Sequence, residues 1–227
     1  MLFYSHIVFA DLIKKRIKIT NTNDYYFGSV FPDIRYYLKM PRTFTHLGSD
    51  EILDYITEYP DQKNFLAGYY FHCVLDEMDV PSFVSDKFLS KLLKNVVTPK
   101  VKTVLLEYYF KENVTGFNPL NYLENNITKE FDIKPEALKH YSSMLNEYMN
   151  TDSLQVIVAT LEKMGLTKFG SVEKYLSAAE FLEHHDHTRH MLFKALDLDK
   201  LNDLVLSKLE KNKSFDKLFA TGIIKQV

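Results

Sequence analysis

The stretch FLAGYYFHCVLDEMD, residues 65–79, is an apolar run that carries a histidine and a carboxylate. We predict a core helix over residues 61–79, ended before Pro81. Positions four residues apart are neighbours on one helix face, about 6 Å apart along the axis. His72 and Asp76 therefore lie side by side, and the pair either binds one metal ion or forms a histidine–aspartate hydrogen bond.

The same three- and four-residue apolar spacing continues through most of the chain, and no stretch alternates as a strand does. The sequence therefore predicts an all-α fold. One short helix is expected to end near Gly28 and Pro32, after a break at TNTND. The other predicted helices are 5–18 with Ser5 as its cap, one capped by Ser49 or Asp50 and stopped by Pro60, 82–95, 99–112, 135–149, 151–164, 170–182, 186–196 and 198–211.

The chain is predicted to be a single helical domain over residues 1–227. Its N-terminal part, residues 1–110, carries most of the residues suited to chemistry. The polar stretch 111–135 is predicted to be a long loop or a boundary between two helical layers. Further helices fill the C-terminal part, residues 135–220.

Composition limits the function classes. Of the 227 residues, 46% are hydrophobic and 26% charged, with a formal net charge of −2, which indicates no stable nucleic-acid partner held by charge. Cys73 is the single cysteine, so an internal disulfide and a thiolate zinc site are excluded. The N-terminus, residues 1–18, lacks the features of a targeting segment, and no run approaches the ~18 apolar residues of a membrane span. We expect a soluble, cytoplasmic protein without a transmembrane segment.

Three other short stretches contain candidate ligands. Asp33 follows a proline in FGSVFPDIRYY, between apolar neighbours that make an unpaired carboxylate costly. His46 lies in RTFTHLGSD, in a short loop where Thr45 can orient it. His6 begins an apolar stretch in YSHIVF. Taken singly, these residues are also compatible with a Pro-Asp turn, a surface histidine and a half-buried core histidine.

Together the motifs have an order: S-H, then G-S-x-x-P-D, then T-H, then G-Y-x-x-H-x-x-x-D. This order resembles the bacterial zinc-dependent phospholipase C superfamily, which also includes the fungal single-strand-specific nucleases. The resemblance covers about residues 1–80. It implies an all-α multi-helix bundle that holds up to three zinc ions at the bottom of a cleft.

The resemblance also implies a role for each matching residue. Two metal ions would share one bridging carboxylate, and the free N-terminal residue would ligate the second ion through its amino group and carbonyl. By position, the ligands of the first ion are Asp33, His46, His72 and Asp76, and those of the second are Met1, His6 and the bridging Asp76.

Imidazole and carboxylate are good zinc ligands. Two ions about 3.5–4 Å apart can activate a water and clamp the phosphoryl oxygens of a phosphodiester. In the family the carboxylate corresponding to Asp33 often serves as general base. Arg35, Lys39 and Arg42 lie between two ligand positions and either neutralise substrate phosphate or form a solvated basic loop.

The third ion of the family uses two more histidines and a carboxylate soon after the 61–79 helix. This chain has no histidine between His72 and His140, so we expect one or two zinc ions. The late stretch AAEFLEHHDHTRHM contains Glu180, His184 and His187 at helical spacing. These residues provide an additional metal site or a proton donor, or they form a solvated helix end.

The leading hypothesis is a metal-dependent phosphoesterase that hydrolyses a phosphodiester with a zinc-activated water. One alternative is a degenerate, non-catalytic family member that acts as a binding protein. Another is an HD-type phosphohydrolase, although His185-Asp186 is the only adjacent pair of that kind and comes late in the chain. The substrate stays open among lipid, nucleic acid and small phosphodiesters.

Overall fold

A computed structural model describes residues 3–78, 106–111, 120–121, 126–151, 154–163, 180, 184, 187, 190 and 198–220. Helices dominate these residues and none of them belongs to a β-strand, which confirms the all-α prediction for the described part of the chain. No described helix is long and apolar enough to cross a membrane.

Residues 3–78 contain six helices, with one 3-10 turn at Phe31–Asp33 and another at Pro60–Gln62. They are α1 (Phe3–Lys14), α2 (Thr22–Val30), α3 (Ile34–Leu38), α4 (Arg42–Thr45), α5 (Ser49–Glu58) and α6 (Lys63–Glu77). Residues 106–111 are also helical. The helices that follow are α7 (Asn126–Glu130), α8 (Pro135–Asn150), α9 (Leu154–Lys163), α10 (Leu198–Glu210) and α11 (Lys213–Ala220).

The predicted start of the first helix was wrong. Helix α1 begins at Phe3, and Ser5 lies inside it. The carboxylate of Glu107, more than a hundred residues further along the chain, accepts hydrogen bonds from the backbone N–H groups of Tyr4 and Ser5. Because a distant side chain satisfies these first-turn donors, the helix needs no local cap.

Two other helix starts also differ from the sequence prediction. Gly48 is the N-cap of α5, where Ser49 or Asp50 had been predicted, and no side chain caps that helix. At α2 the cap is local, because the side chain of Asn21 accepts a hydrogen bond from the backbone N–H of Asp24. That helix therefore begins within TNTND, which was predicted to be a break.

The polar stretch 111–135 is not irregular throughout, because α7 lies within it. The predicted helix 82–95 lies outside the described residues. The same holds for all of 99–112 except 106–111, for all of 170–182 except position 180, and for all of 186–196 except positions 187 and 190.

Helices α2 and α6 cross at two glycines. A Cβ atom on Gly28 would overlap the carbonyl oxygen of Phe65, and one on Gly68 would overlap that of Tyr25. The two backbones therefore touch at this crossing, and only glycine fits at either position. One turn beyond it on α6, Nδ1 of His72 lies 2.8 Å from the carbonyl oxygen of Ser29. The glycine crossing thus sets the position of a candidate ligand.

Candidate metal centre

Helix α6 supplies two members of the cluster. His72 is completely buried, and its Nδ1–H donates to the Ser29 carbonyl, which leaves Nε2 as the lone-pair donor that faces the other candidates. Asp76 lies one turn later, with its Oδ2 3.8 Å from that Nε2. The side-by-side arrangement predicted from the sequence is present, and the intervening distance leaves room for a shared ion.

Asp33 ends the 3-10 turn Phe31–Asp33, which directly follows α2. The turn points its carboxylate inward: Asp33 is 2% exposed, and its Oδ1 lies 3.8 Å from Nε2 of His72. Pro32 fits at the start of this turn because its φ is preset and no N–H is lost. The proline therefore helps to place a buried carboxylate beside a buried imidazole.

His46 follows the short helix α4, and its Nε2 lies 3.3 Å from Oδ2 of Asp76 and 3.3 Å from Nε2 of His72. Thr45 anchors this segment, because its hydroxyl donates to the carbonyl of Pro32 at 2.7 Å and lies 3.3 Å from Nδ1 of His46. The Thr45 hydroxyl thus ties the loop that carries His46 to the turn that carries Asp33.

His6 reaches the cluster from α1. Its ring stacks on that of His72 with centroids 3.9 Å apart, and its Nε2 lies 3.4 Å from Oδ1 of Asp76. Both ring nitrogens are buried and lack a well-directed hydrogen bond. A buried polar atom without a partner is costly. A cation ligated by Nε2 of His6 would remove the cost at that nitrogen.

The donor atoms fall into two groups of three that share His72. Within each group one ligand atom per residue lies within 4.8 Å of the others, and the groups are His6, Asp33, His72 and His46, His72, Asp76. No side chain of the five is more than 10% exposed. Imidazole nitrogens and carboxylate oxygens at this spacing fit zinc, and an open position for water fits a catalytic ion.

Burial sets the protonation of the cluster. It lowers the pKa of His6 to about 4 and lowers the pKa values of His46 and His72 below the ordinary value. These imidazoles are therefore neutral at pH 7, the form that binds a metal.

The pKa values of the two carboxylates shift in opposite directions. Burial raises the pKa of Asp33 to about 8, and the charge of Asp76 adds to the effect. Burial also acts to raise the pKa of Asp76, but the imidazoles of His46 and His6 outweigh it and hold that pKa well below its usual range. Asp76 is thus the carboxylate that stays charged without a metal.

These shifts predict how the stability of the metal-free protein depends on pH. The His6 pKa is about 4 in the fold against 6.5 ordinarily, so the stabilisation from this group is full above 6.5 and is lost towards pH 4. The Asp33 pKa rises from 3.8 to about 8, so its contribution is full below 3.8 and is lost as the pH rises through 8. Within the cluster, the stability lost by the three histidines below pH 6.5 exceeds the stability gained from Asp33, and above pH 6.5 Asp33 is the cluster residue that still lowers stability as the pH rises. We expect the melting temperature in chelator to be highest near pH 6.5.

Thermal denaturation between pH 4 and pH 8.5 in the presence of chelator measures this profile. In Asp33→Asn the decline above pH 6.5 should disappear, while the decline on the acid side should remain. A wild-type melting temperature that keeps rising from pH 6.5 to 8 would contradict the assignment.

Two of the three predicted phosphate-binding residues lie at the edge of the cluster. Nη1 of Arg42 donates to Oδ2 of Asp76 at 2.9 Å, although the Arg42 side chain is 48% exposed. Arg35 stacks on the ring of Tyr36, and its buried Nε has no partner. Lys39 is exposed and ends α3 at φ 57°, and among the described residues it makes no hydrogen bond or ion pair with the cluster.

The remaining predicted site residues are Met1, Glu180, His184 and His187. Met1 lies outside the described residues. Glu180, His184 and His187 are exposed and helical, and neither ligand group of the described residues includes them. Nδ1 of His184 lies 2.7 Å from the carbonyl oxygen of Glu180 and donates to it within the helix. The additional metal site or proton donor stays a prediction.

Sequence reasoning missed Glu107, which is fully buried and contacts the turn of α1 that precedes His6. The signal was present in VLLEYYF, residues 104–110, where a single carboxylate interrupts an apolar run. The same reasoning singled out Asp33.

Comparison with known proteins adds no relative: the chain matches no protein-family model, no curated protein and no solved structure. The family resemblance therefore stays an inference from the motifs.

Proposed function

We propose that the protein is a metal-dependent phosphoesterase that hydrolyses a phosphodiester, of the zinc-dependent phospholipase C and nuclease type. One observation carries the proposal. Three imidazoles and two carboxylates, all largely buried, converge, and burial holds the three imidazoles neutral. An arginine lies at the exposed edge of the same cluster.

The geometry supports two positions for zinc. Asp33, His46, His72 and Asp76 would hold one ion, and His6 with the other oxygen of Asp76 would help to hold a second. Asp76 suits the bridging role because Oδ1 faces His6 while Oδ2 faces His46 and His72. Bound zinc would lower the pKa of a water and polarise a phosphoryl oxygen.

Asp33 is the residue that we propose as general base. Its carboxylate is buried, and its Oδ1 lies 3.8 Å from Nε2 of His72, so it lies next to the proposed zinc position. The hydrogen bond from the Thr45 hydroxyl to the carbonyl of Pro32 holds the turn that carries Asp33 in place. A fixed carboxylate can orient the attacking water and receive its proton.

Arg42 and Arg35 are proposed to bind the phosphate. The half-exposed guanidinium of Arg42 already contacts the Asp76 carboxylate, and it can present further N–H donors to an anion that enters from solvent. Arg35 has a buried Nε donor without a hydrogen-bond partner, and its charge acts on Asp33. Guanidinium groups bind two phosphate oxygens at once, which fixes the orientation of an ester.

Hydrolysis of bis-p-nitrophenyl phosphate tests the proposal. Untagged protein purified without chelator should contain tightly bound zinc and release nitrophenolate. His72→Ala should lower the rate at least about 100-fold, because a buried ligand of the first ion is lost. His140→Ala is the matched control, because His140 is exposed on α8, and its rate should equal that of the wild type.

Two outcomes would contradict the proposal in different ways. Wild-type protein that holds zinc without any turnover would be a binding protein. Wild-type protein that holds no metal at all would rule out the metal centre and the phosphoesterase activity with it.

The adjacent pair His185-Asp186 of the HD-type alternative lies outside the described residues.

A further inference from the structure

Glu107 makes an unusual set of contacts for a buried carboxylate. Its Oε1 accepts from the backbone N–H of Tyr4 at 2.6 Å and from the hydroxyl of Tyr148 at 2.6 Å. Its Oε2 accepts from the backbone N–H of Ser5 at 2.8 Å and from the Ser5 hydroxyl at 2.5 Å. Four donors therefore satisfy one fully buried charge.

Three of these four donors belong to the two residues that directly precede His6. The N-terminal end of a helix also favours a negative charge, so the carboxylate is electrostatically suited to this position. Lys111, one turn after Glu107 and itself buried, donates to the carbonyl of Tyr148 and lies 5.2 Å from the ring centre of Tyr4. The segment 106–111 and α8 thus clamp the first turn of α1.

The orientation of the His6 ring depends on this clamp, whereas the other two candidate histidines each have a nearby polar group that orients the ring. The imidazole of His72 is oriented by the Ser29 carbonyl, and that of His46 lies beside the Thr45 hydroxyl. Nε2 of His6 lies 3.4 Å from Oδ1 of Asp76, but its Nδ1 has no hydrogen-bond partner that could orient the ring. Ligand histidines are normally oriented through the nitrogen that does not bind the metal. The backbone of α1, together with the stacking on His72, has to provide that orientation here.

We propose that Glu107 is a positioning residue that acts through the first turn of α1 to place His6 for the second zinc ion. The inference rests on the proposed metal centre. It goes beyond that centre because it makes the affinity for one ion depend on a residue that touches neither ion. The other ion is held by residues of α6 and the 31–46 region, which Glu107 does not contact among the described residues.

Zinc titration calorimetry and the visible spectrum of the cobalt-substituted protein test the inference. The wild type should bind two ions. Glu107→Gln keeps the size of the side chain but turns one acceptor oxygen into an amide donor. We expect the affinity for the second ion to fall at least about tenfold, while the first ion keeps its affinity and its cobalt spectrum. A purely structural role would lower both affinities together with the melting temperature.

Two further variants keep the test decisive if Glu107→Gln folds poorly. Tyr148→Phe removes one hydrogen bond to Glu107 but none of those to α1, and both ions should bind as in the wild type. Ser5→Ala removes a donor within α1, and the second ion alone should bind more weakly. Equal effects of these two substitutions on the second ion would overturn the inference.

The inference and the proposed function fail in different ways. Two ions bound with unchanged affinities in both Glu107→Gln and Ser5→Ala would overturn the positioning role and leave the metal centre intact. A wild type that binds no zinc or cobalt would overturn both.

Discussion

Asp76→Asn is expected to abolish tight metal binding. Its carboxylate is the only group of the cluster that faces three imidazoles, with oxygen–nitrogen distances of 3.4 Å to His6, 3.3 Å to His46 and 3.8 Å to His72. Asparagine keeps the shape but removes the negative charge and one of the two ligand oxygens. We expect zinc affinity to fall by more than about 100-fold, above the 10–100-fold range for residues that only orient a ligand.

Zinc content after dialysis and competition with a chromogenic chelator measure this effect. The matched control is Glu77→Gln, which removes the same charge from the next position of α6, where the side chain is exposed. Its zinc content should equal that of the wild type. Full zinc retention in Asp76→Asn would show that the ion binds elsewhere and would remove the basis of the proposed function.

Gly68→Ala is expected to destabilise the protein strongly. The added Cβ would overlap the Tyr25 carbonyl oxygen and lie 2.8 Å from the backbone nitrogen of Ser29. Both obstacles are backbone atoms, so no side-chain rotation relieves the overlap and α2 must move away from α6. We expect a loss of about 3 kcal/mol or more in the free energy of unfolding, at the upper end of overpacking costs.

Urea denaturation in the presence of chelator measures this loss free of any metal contribution. Gly48→Ala serves as the control, because a Cβ atom there meets nothing within 4 Å. Gly48 is the N-cap of α5, where alanine costs at most about 1 kcal/mol. Equal stability of the two variants would mean that the close helix crossing is absent in solution.

The local part of the fold was accessible from the sequence. The apolar spacing of residues 65–79 predicted a buried helix, and the structure has α6 at Lys63–Glu77. The four-residue spacing of His72 and Asp76 fixed their common face before any tertiary contact was known. Asp33 and His46 were noted from their local sequence, but their predicted ligand roles came from the order of the motifs and the family resemblance.

The long-range part was not accessible. Nothing local marks Glu107 as the cap of a helix that begins at Phe3, because the two segments meet only in the folded chain. Serine is a favoured N-cap residue, yet Ser5 lies inside the helix and its hydroxyl donates a hydrogen bond to Glu107. The sequence contains Gly28 and Gly68 but does not show that each lies against the backbone of the other helix, because that depends on how α2 and α6 cross.

The thiol of Cys73 can report how often α6 opens. It is the chain's single cysteine, it follows His72 on α6, and it is 4% exposed. Burial raises the pKa of its thiol, so the protein as folded offers alkylating reagents almost no thiolate. Modification therefore requires α6 to detach from its neighbours, and the alkylation rate of the unmodified chain measures how often that detachment occurs.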